Sequence, residues 1–98
     1  MPKLYEYLGI IIMFYSEEHA PIHVHGKHGG RECKAEIIVR NGKVIAVRFK
    51  PVRSGLEPVK QKEFERFVRA RADDIVQKWD DAFLRNKLIH PEIITKKI

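Results

Sequence analysis

Four of the five histidines in the chain fall within residues 19–28, and this cluster is the part of the sequence that most suggests chemistry. Its members are His19, His23, His25 and His28. Imidazole is a common metal ligand, and it is the side chain whose unperturbed pKa lies closest to neutrality. The cluster therefore predicts a metal site, an acid/base site or an anion-binding site, and the residue types leave the choice among the three open.

The H-x-H spacing of His23 and His25 predicts that the two side chains act together. Residues two apart on a β-strand share a face, at a separation of about 6 to 7 Å. Two such imidazoles can converge on one ion or one phosphate. His19 precedes the turn expected at Pro21 and is placed to fold back towards them, whereas His28 falls on the opposite face of a regular strand.

The metal hypothesis requires three or four ligands for zinc or manganese. His19, His23 and His25 would supply three of these ligands. The candidates for a fourth are carboxylates close in sequence: Glu17, Glu18, Glu32 and Glu36. Without a metal, the same histidines would serve as general acid and base or as phosphate contacts. A structural role in hydrogen bonding, ring stacking or an oligomer contact is the third hypothesis.

The charge of the chain favours an anionic partner. Its formal net charge is +6 and its pI is about 9.6, which is typical of proteins that bind nucleic acid or an acidic protein. The best candidates for phosphate contacts are Arg48, Lys50 and Arg53, because they end a predicted strand that we expect to lie near the histidines. The sequence contains no zinc finger, helix-turn-helix or single-strand-binding signature.

Length and composition predict a single domain over residues 1–98, with a sheet in 1–53, a helical region in 59–86 and a C-terminal arm in 87–98. So short a chain buries only a small core, and we therefore expect a homo-oligomer. The lone Cys33 excludes an internal disulfide and fits a reducing compartment. The apolar run 8–15 is too short to cross a bilayer. We expect a cytoplasmic protein without membrane contact.

Hydrophobic periodicity predicts an α+β fold. Four segments read as strands, at residues 9–15, 22–28, 32–39 and 45–49. They predict a four-stranded, mainly antiparallel sheet, followed by a C-terminal helix or helix pair packed on one face. The apolar stripe over 59–85 has helical spacing, and we expect a break near residues 70–73, where Asp73 can cap a second helix.

The hairpin between the last two predicted strands has two alternative loops. A two-residue loop at Asn41 and Gly42 would send Val39 and Ile45 to opposite faces in a regular ladder. A three-residue loop over residues 40–42 would pair Ile37 with Ile45 and put the apolar side chains on one face. Since a slip of one residue reverses every side chain, we predict the three-residue loop.

The chain resembles a small prokaryotic domain-of-unknown-function family, numbered 4160, over roughly residues 5–85. The resemblance rests on GIIIMFY at 9–15 and on EHAPIHVH at 18–25. Family members typically carry G-I-x-I-x-M-Y and then D-H-x-P-P-H-x-H, followed by a glycine-containing hairpin and a helical region with an N-W pair. Four positions depart from this pattern, namely Phe14, Glu18, Ile22 and Lys78, and every histidine of the motif is kept.

The resemblance implies a genetic context more than a reaction. Genes of this family often lie beside a gene for another small protein, in pairs suggested to be toxin–antitoxin modules. We therefore expect a toxin–antitoxin-type component, with a partner protein from an adjacent gene, that binds or processes nucleic acid through His19, His23 and His25. The alternatives are a histidine-ligated metal protein and a non-enzymatic homodimeric interaction module.

Overall fold

One mixed β-sheet and two helices make up the fold in the computed structural model, which describes residues 3–15 and 21–98. The elements in chain order are β1 (Lys3–Tyr7), β2 (Ile10–Met13), β3 (His23–His28), β4 (Arg31–Arg40), β5 (Lys43–Val52), α1 (Pro58–Ala70), α2 (Ala72–Trp79), a π-helical turn (Asp80–Leu84) and β6 (Glu92–Ile94). The predicted α+β class, with helices following the sheet in the chain, is confirmed.

The sheet has six strands in the order β5-β4-β3-β2-β1-β6, so the prediction of four strands was wrong. All neighbouring pairs are antiparallel except β1 and β6, which are parallel. The first missed strand, β1, is joined to β2 by a tight turn at Leu8 and Gly9, both of which have positive φ. The second, β6, is a three-residue segment of the predicted arm that pairs along β1.

The β4–β5 hairpin differs from the predicted one in its loop and in its pairing. Asn41 and Gly42 both have positive φ and form a two-residue turn, which is the type I′ geometry that the twist of a hairpin favours. The ladder then shifts by one residue, because Ile38 pairs with Ala46 while Val39 pairs with Val44. Ile45 is the extra residue of this bulge and is exposed. The bulge thus lies in the strand and not in the loop.

The predicted break in the helical region is confirmed at Arg71, which separates α1 from α2. α1 begins with Pro58 at its first position, where a missing amide hydrogen costs no helical bond. The prediction that Asp73 caps α2 was wrong, because Arg71 occupies the cap position and no side chain bonds there. Within the described residues, no helix is long and apolar enough to cross a membrane.

The helices cover one face of the sheet and leave most of the other face without a helix. Phe64, Phe67 and Ile75 are fully buried against the covered face. Gly26 in β3 permits this packing, because a Cβ atom there would lie 2.5 Å from the ring of Phe64. Since side chains alternate along a strand, the residues between those of the covered face point to the helix-free face.

A polar network fixes α2 against β1 and β6, at one side of the sheet. The hydroxyl of Tyr5 donates to the Asp74 carboxylate, and the Lys78 ammonium lies 3.0 Å from Asp74 and 3.1 Å from Glu92. Burial and the hydrogen bond with Asp74 together raise the pKa of Tyr5, so the phenol stays protonated. One network therefore connects β1, α2 and β6.

Candidate functional site

His23 and His25 lie side by side on the helix-free face of β3, as their spacing predicts. Their ring centroids are 5.2 Å apart, with the ring planes nearly perpendicular. The His23 ring also packs against Trp79, at a centroid distance of 5.5 Å. His28 falls on the opposite face, beside Gly9, because β3 stays regular to its end. His19 lies outside the described residues.

Glu32 is the partner that holds His25 in place. The His25 Nδ1–H group donates to the Glu32 carboxylate at 3.0 Å, and the side chains are 8% and 19% exposed, respectively. The Tyr15 hydroxyl reaches both oxygens of the same carboxylate, at 3.0 and 3.1 Å. The Lys27 ammonium lies 3.7 Å from an oxygen of Glu32. Such charge-assisted contacts are stronger in this nearly buried setting than in water.

The two histidines are oriented in the same way. Just as His25 uses Nδ1 to bond Glu32, His23 donates its Nδ1–H to the carbonyl oxygen of Pro21 at 2.8 Å. A neutral imidazole that donates through Nδ1 carries its lone pair on Nε2. This fixed tautomer suits a general base, and it is also the arrangement in which a histidine binds a metal.

Tyr15 and Lys27 enclose the His25–Glu32 pair. The Tyr15 ring centroid is 4.1 Å from that of His25, and the Lys27 ammonium lies 4.7 Å over the Tyr15 ring. The hydrogen bond with Tyr15 and the charge of Glu32 raise the pKa of Lys27, which therefore stays cationic at neutral pH. The result is a cluster of aromatic, cationic and acidic groups around one imidazole.

Of the predicted phosphate contacts, Arg48 and Lys50 share the helix-free face with the histidines. The strand register forms two rows across β3, β4 and β5: His23, Glu36 and Arg48 in one, and His25, Lys34 and Lys50 in the next. The Lys50 ammonium is 3.0 Å from a Glu36 oxygen. Arg48 is exposed and has no ion pair within residues 3–15 and 21–98.

Arg53, the third predicted cation, follows the end of β5 and lines an open cleft of about 620 Å³. A third row of the sheet forms the floor of this cleft, and the turn between β3 and β4 forms one wall. The residues that line it are Gly9, Ile11, Tyr15, Lys27, His28, Gly29, Gly30, Arg31, Glu32, Val52, Arg53 and Ser54. We call this feature the sheet-end cleft. It shares Tyr15 and Glu32 with the surroundings of His25.

Sequence reasoning did not identify the central role of Glu32 or the contact of Tyr15 with it. Glu32 was only one of four candidate metal ligands, and no periodic pattern singles it out. Its distance from His25 is set by the turn at Gly29 and Gly30, which brings β4 back along β3. In the described part of the chain, no three His, Cys, Asp or Glu side chains are arranged to hold a metal ion. Cys33, as predicted, is buried.

A family model described as "Domain of unknown function (DUF4160)" matches residues 9–80, well over half of the 98-residue chain. The matched range includes His23, His25, Glu32 and the cations of β5. The resemblance to this family in the sequence is thereby confirmed. No curated protein and no solved structure matches the chain significantly.

The electrostatics of Glu36 predict how acid affects the stability of this face. Hydrogen bonding by Lys50, with further charge from Lys34 and His23, lowers the pKa of Glu36. A carboxylate with a lower pKa in the folded state stabilises that state above its unfolded pKa, and this contribution disappears as the pH falls through the folded pKa. The wild-type free energy of unfolding should therefore fall more steeply below about pH 5 than that of Glu36→Gln.

Urea unfolding at a series of pH values measures this difference. The matched control is Glu57→Gln, since Glu57 is exposed and makes no ion pair in the parts of the chain that the structure describes. In Glu57→Gln, the free energy of unfolding should depend on pH as it does in the wild type. If the free energies of unfolding of the wild type and Glu36→Gln fell in parallel as the pH was lowered, this result would contradict the role of Glu36.

Proposed function

We propose that this chain, which belongs to the family described as Domain of unknown function (DUF4160), binds single-stranded RNA on the helix-free face and cleaves it by acid–base chemistry. One observation carries the proposal: a nearly buried imidazole, held by Glu32, sits on a sheet face where cations outnumber carboxylates. His25 is the base in this proposal, and His23 is the acid.

The charge and shape of the face support binding to a single strand. Its cationic side chains include Lys27, Lys34, Arg48 and Lys50, and the chain as a whole carries a net charge of +6. Proteins bind single strands by combining such cations with rings on which bases stack. The face offers Tyr15 and His23 as rings, and among its rings the structure gives a contact with a helix residue only for His23, whose ring packs against Trp79 at the end of α2.

The chemical step uses the 2′-hydroxyl of RNA as an internal nucleophile. His25 accepts the proton of this hydroxyl at Nε2 while the 2′-oxygen forms a bond to phosphorus. The bond between phosphorus and the 5′-oxygen breaks, and His23 in its imidazolium form gives that oxygen a proton. Glu32 stabilises the imidazolium that His25 becomes, and Arg48 and Lys34 offset the charge that develops on the phosphate.

A metal-dependent mechanism is the second candidate, with zinc or manganese held by His19, His23 and His25. It is favoured by the Nδ1–H hydrogen bonds of His23 and His25 to oxygen, since histidine ligands of metals make such bonds. A bound ion would supply a nucleophilic hydroxide at neutral pH. His25 and His23 would then act as ligands instead of exchanging protons with the substrate.

The toxin–antitoxin role stays a prediction from the family resemblance, as do a partner protein, a homo-oligomer and a cytoplasmic location. RNA cleavage would suit a toxin, whereas binding without cleavage would suit an antitoxin. The interaction-module hypothesis also stays a prediction. Unlike the acid–base and metal-dependent hypotheses, it predicts that a complex with a partner protein would survive His23→Ala and His25→Ala.

The first prediction of the proposed function concerns binding. The affinity for a fluorescent oligouridylate, measured by anisotropy, should rise as salt falls from roughly 200 to 50 mM. Arg48→Ala should weaken binding and flatten the logarithmic salt slope by about 0.7, the value for one single-strand phosphate contact. The control is Arg66→Ala, because Arg66 is exposed on α1, on the other side of the sheet. Salt-independent binding, or an unchanged slope in Arg48→Ala, would contradict the proposal.

The second prediction concerns cleavage. His25→Ala should slow cleavage of the same RNA by about 10²- to 10⁴-fold and leave its affinity nearly unchanged. His90→Ala is the matched control, since His90 is exposed in the segment before β6. A 2′-deoxy substrate should bind without being cleaved. Circular dichroism melting confirms that each variant is folded.

The same assay separates the two mechanisms. Cleavage that persists in a chelator supports acid–base chemistry by His25 and His23. Cleavage that a chelator abolishes, and that zinc or manganese restores, supports the metal site instead. The absence of wild-type cleavage under both conditions would rule out the nuclease and leave a nucleic-acid-binding protein.

A further inference from the structure

We propose that the sheet-end cleft binds one nucleoside phosphate, with the phosphate on Arg53 and Arg31 and the base against Ile11, Tyr15 and Val52. The ligand is either a free mononucleotide or the last nucleotide of a strand. This inference rests on the proposed function only in placing the cleft beside a site that acts on RNA.

The floor of the cleft is a row of side chains across four strands. Ile11 is paired with Lys27, Lys27 with Glu32, and Glu32 with Val52. The apolar ends of this row, together with the Tyr15 ring, offer a surface for a flat base. The volume of about 620 Å³ lies within the range of pockets that bind ligands of nucleotide size.

The charges of the cleft favour a phosphate. Arg53 is exposed and has no ion pair within the described ranges 3–15 and 21–98. Arg31 has no ion pair there either. It uses Nε and Nη2 to donate to the carbonyl oxygens of Gly55 and Ser54, at 2.7 and 3.3 Å, and a guanidinium has five N–H donors. The negative charge of Glu32 is offset by Lys27, and its oxygens also accept bonds from Tyr15 and His25.

The rim holds Arg53 in an unusual backbone conformation. Its φ is 59°, in the left-handed region that a non-glycine residue adopts only at a cost in free energy. The two bonds from Arg31 to the following residues hold this loop in place. Strain that persists in an exposed loop points to a functional reason for the arginine. A glycine there would adopt the same conformation without strain.

Another lining residue, His28, has an unsatisfied nitrogen. Its Nδ1 atom is buried and has no hydrogen-bond partner in the described part of the chain. An unsatisfied buried nitrogen is unfavourable, and a hydrogen bond with an ordered water or a ligand hydroxyl would relieve this cost. In the turn that follows His28, Gly29 and Gly30 leave the rim open, since a Cβ atom on either would contact nothing within 4 Å.

The cleft and the proposed catalytic pair share two side chains. Tyr15 and Glu32 line the cleft, and both are within hydrogen-bonding or ring contact of His25. A nucleotide bound in the cleft would therefore hold its neighbouring phosphodiester beside His25. Under the proposed function, this arrangement favours cleavage at the end of a strand.

Titration of the full chain with AMP, adenosine and inorganic phosphate tests the inference, with calorimetry for affinity and amide NMR shifts for location. AMP should bind more tightly than either fragment and should shift the amides of Gly29, Gly30 and Glu32. Arg53→Gly, which keeps the loop conformation, should weaken AMP binding by about tenfold or more, the effect of losing one charge-assisted contact. Arg66→Ala is the control and should bind AMP as the wild type does.

The outcomes separate the cleft from the proposed function. Phosphate binding as tight as AMP binding would overturn the base contact, and unchanged AMP affinity in Arg53→Gly would overturn the phosphate contact. No AMP binding, in a chain whose RNA affinity still depends on Arg48, would overturn the cleft alone. AMP binding that depends on Arg53, in a chain that neither binds nor cleaves RNA, would support the cleft and overturn the proposed function.

Discussion

The carboxylate of Glu32 is the group on which the rest of the candidate site depends. Its oxygens accept hydrogen bonds from His25 and Tyr15, and Lys27 supplies a nearby positive charge. A carboxylate with so little exposure is stable only when its partners satisfy it. Glu32 also fixes the His25 tautomer, and it lines the sheet-end cleft, so it connects the histidine pair to the cleft. If Glu32 lost its charge, His25 would lose the charge-assisted hydrogen bond that orients its ring.

The fold exposes this cluster by covering only one face of the sheet. Gly26 lets Phe64 approach β3 closely, so the helices pack on the face opposite His23 and His25. Because side chains alternate along each strand, His23 and His25 lie on the helix-free face together with the carboxylates of β4 and with Arg48 and Lys50 of β5. Close packing on one side thus determines where the polar groups lie on the other.

The features that depend on the spacing of residues along the chain could be predicted from the sequence. The shared face of His23 and His25 follows from their two-residue spacing, and the helical region follows from the stripe over residues 59–85. Parts that depend on pairing between distant segments could not be predicted. The contact of His25 with Glu32 depends on the β3–β4 register, and β6 is too short to recognise without β1. The hairpin was predicted wrongly because Asn41 accepts a positive φ, which permits a two-residue loop and moves the bulge to Ile45.

Nitrogen-15 NMR of the imidazoles is the decisive test of the role of Glu32. In the wild type near neutral pH, the neutral His25 ring should carry its proton on Nδ1 and its lone pair on Nε2. Replacing the carboxylate in Glu32→Gln should lower the His25 pKa or mix the two tautomers, because an amide cannot stabilise the imidazolium as a carboxylate does. His90, which is exposed, provides the internal reference. A His25 ring protonated on Nε2 in the wild type, or titrating identically in Glu32→Gln, would contradict the central role of Glu32.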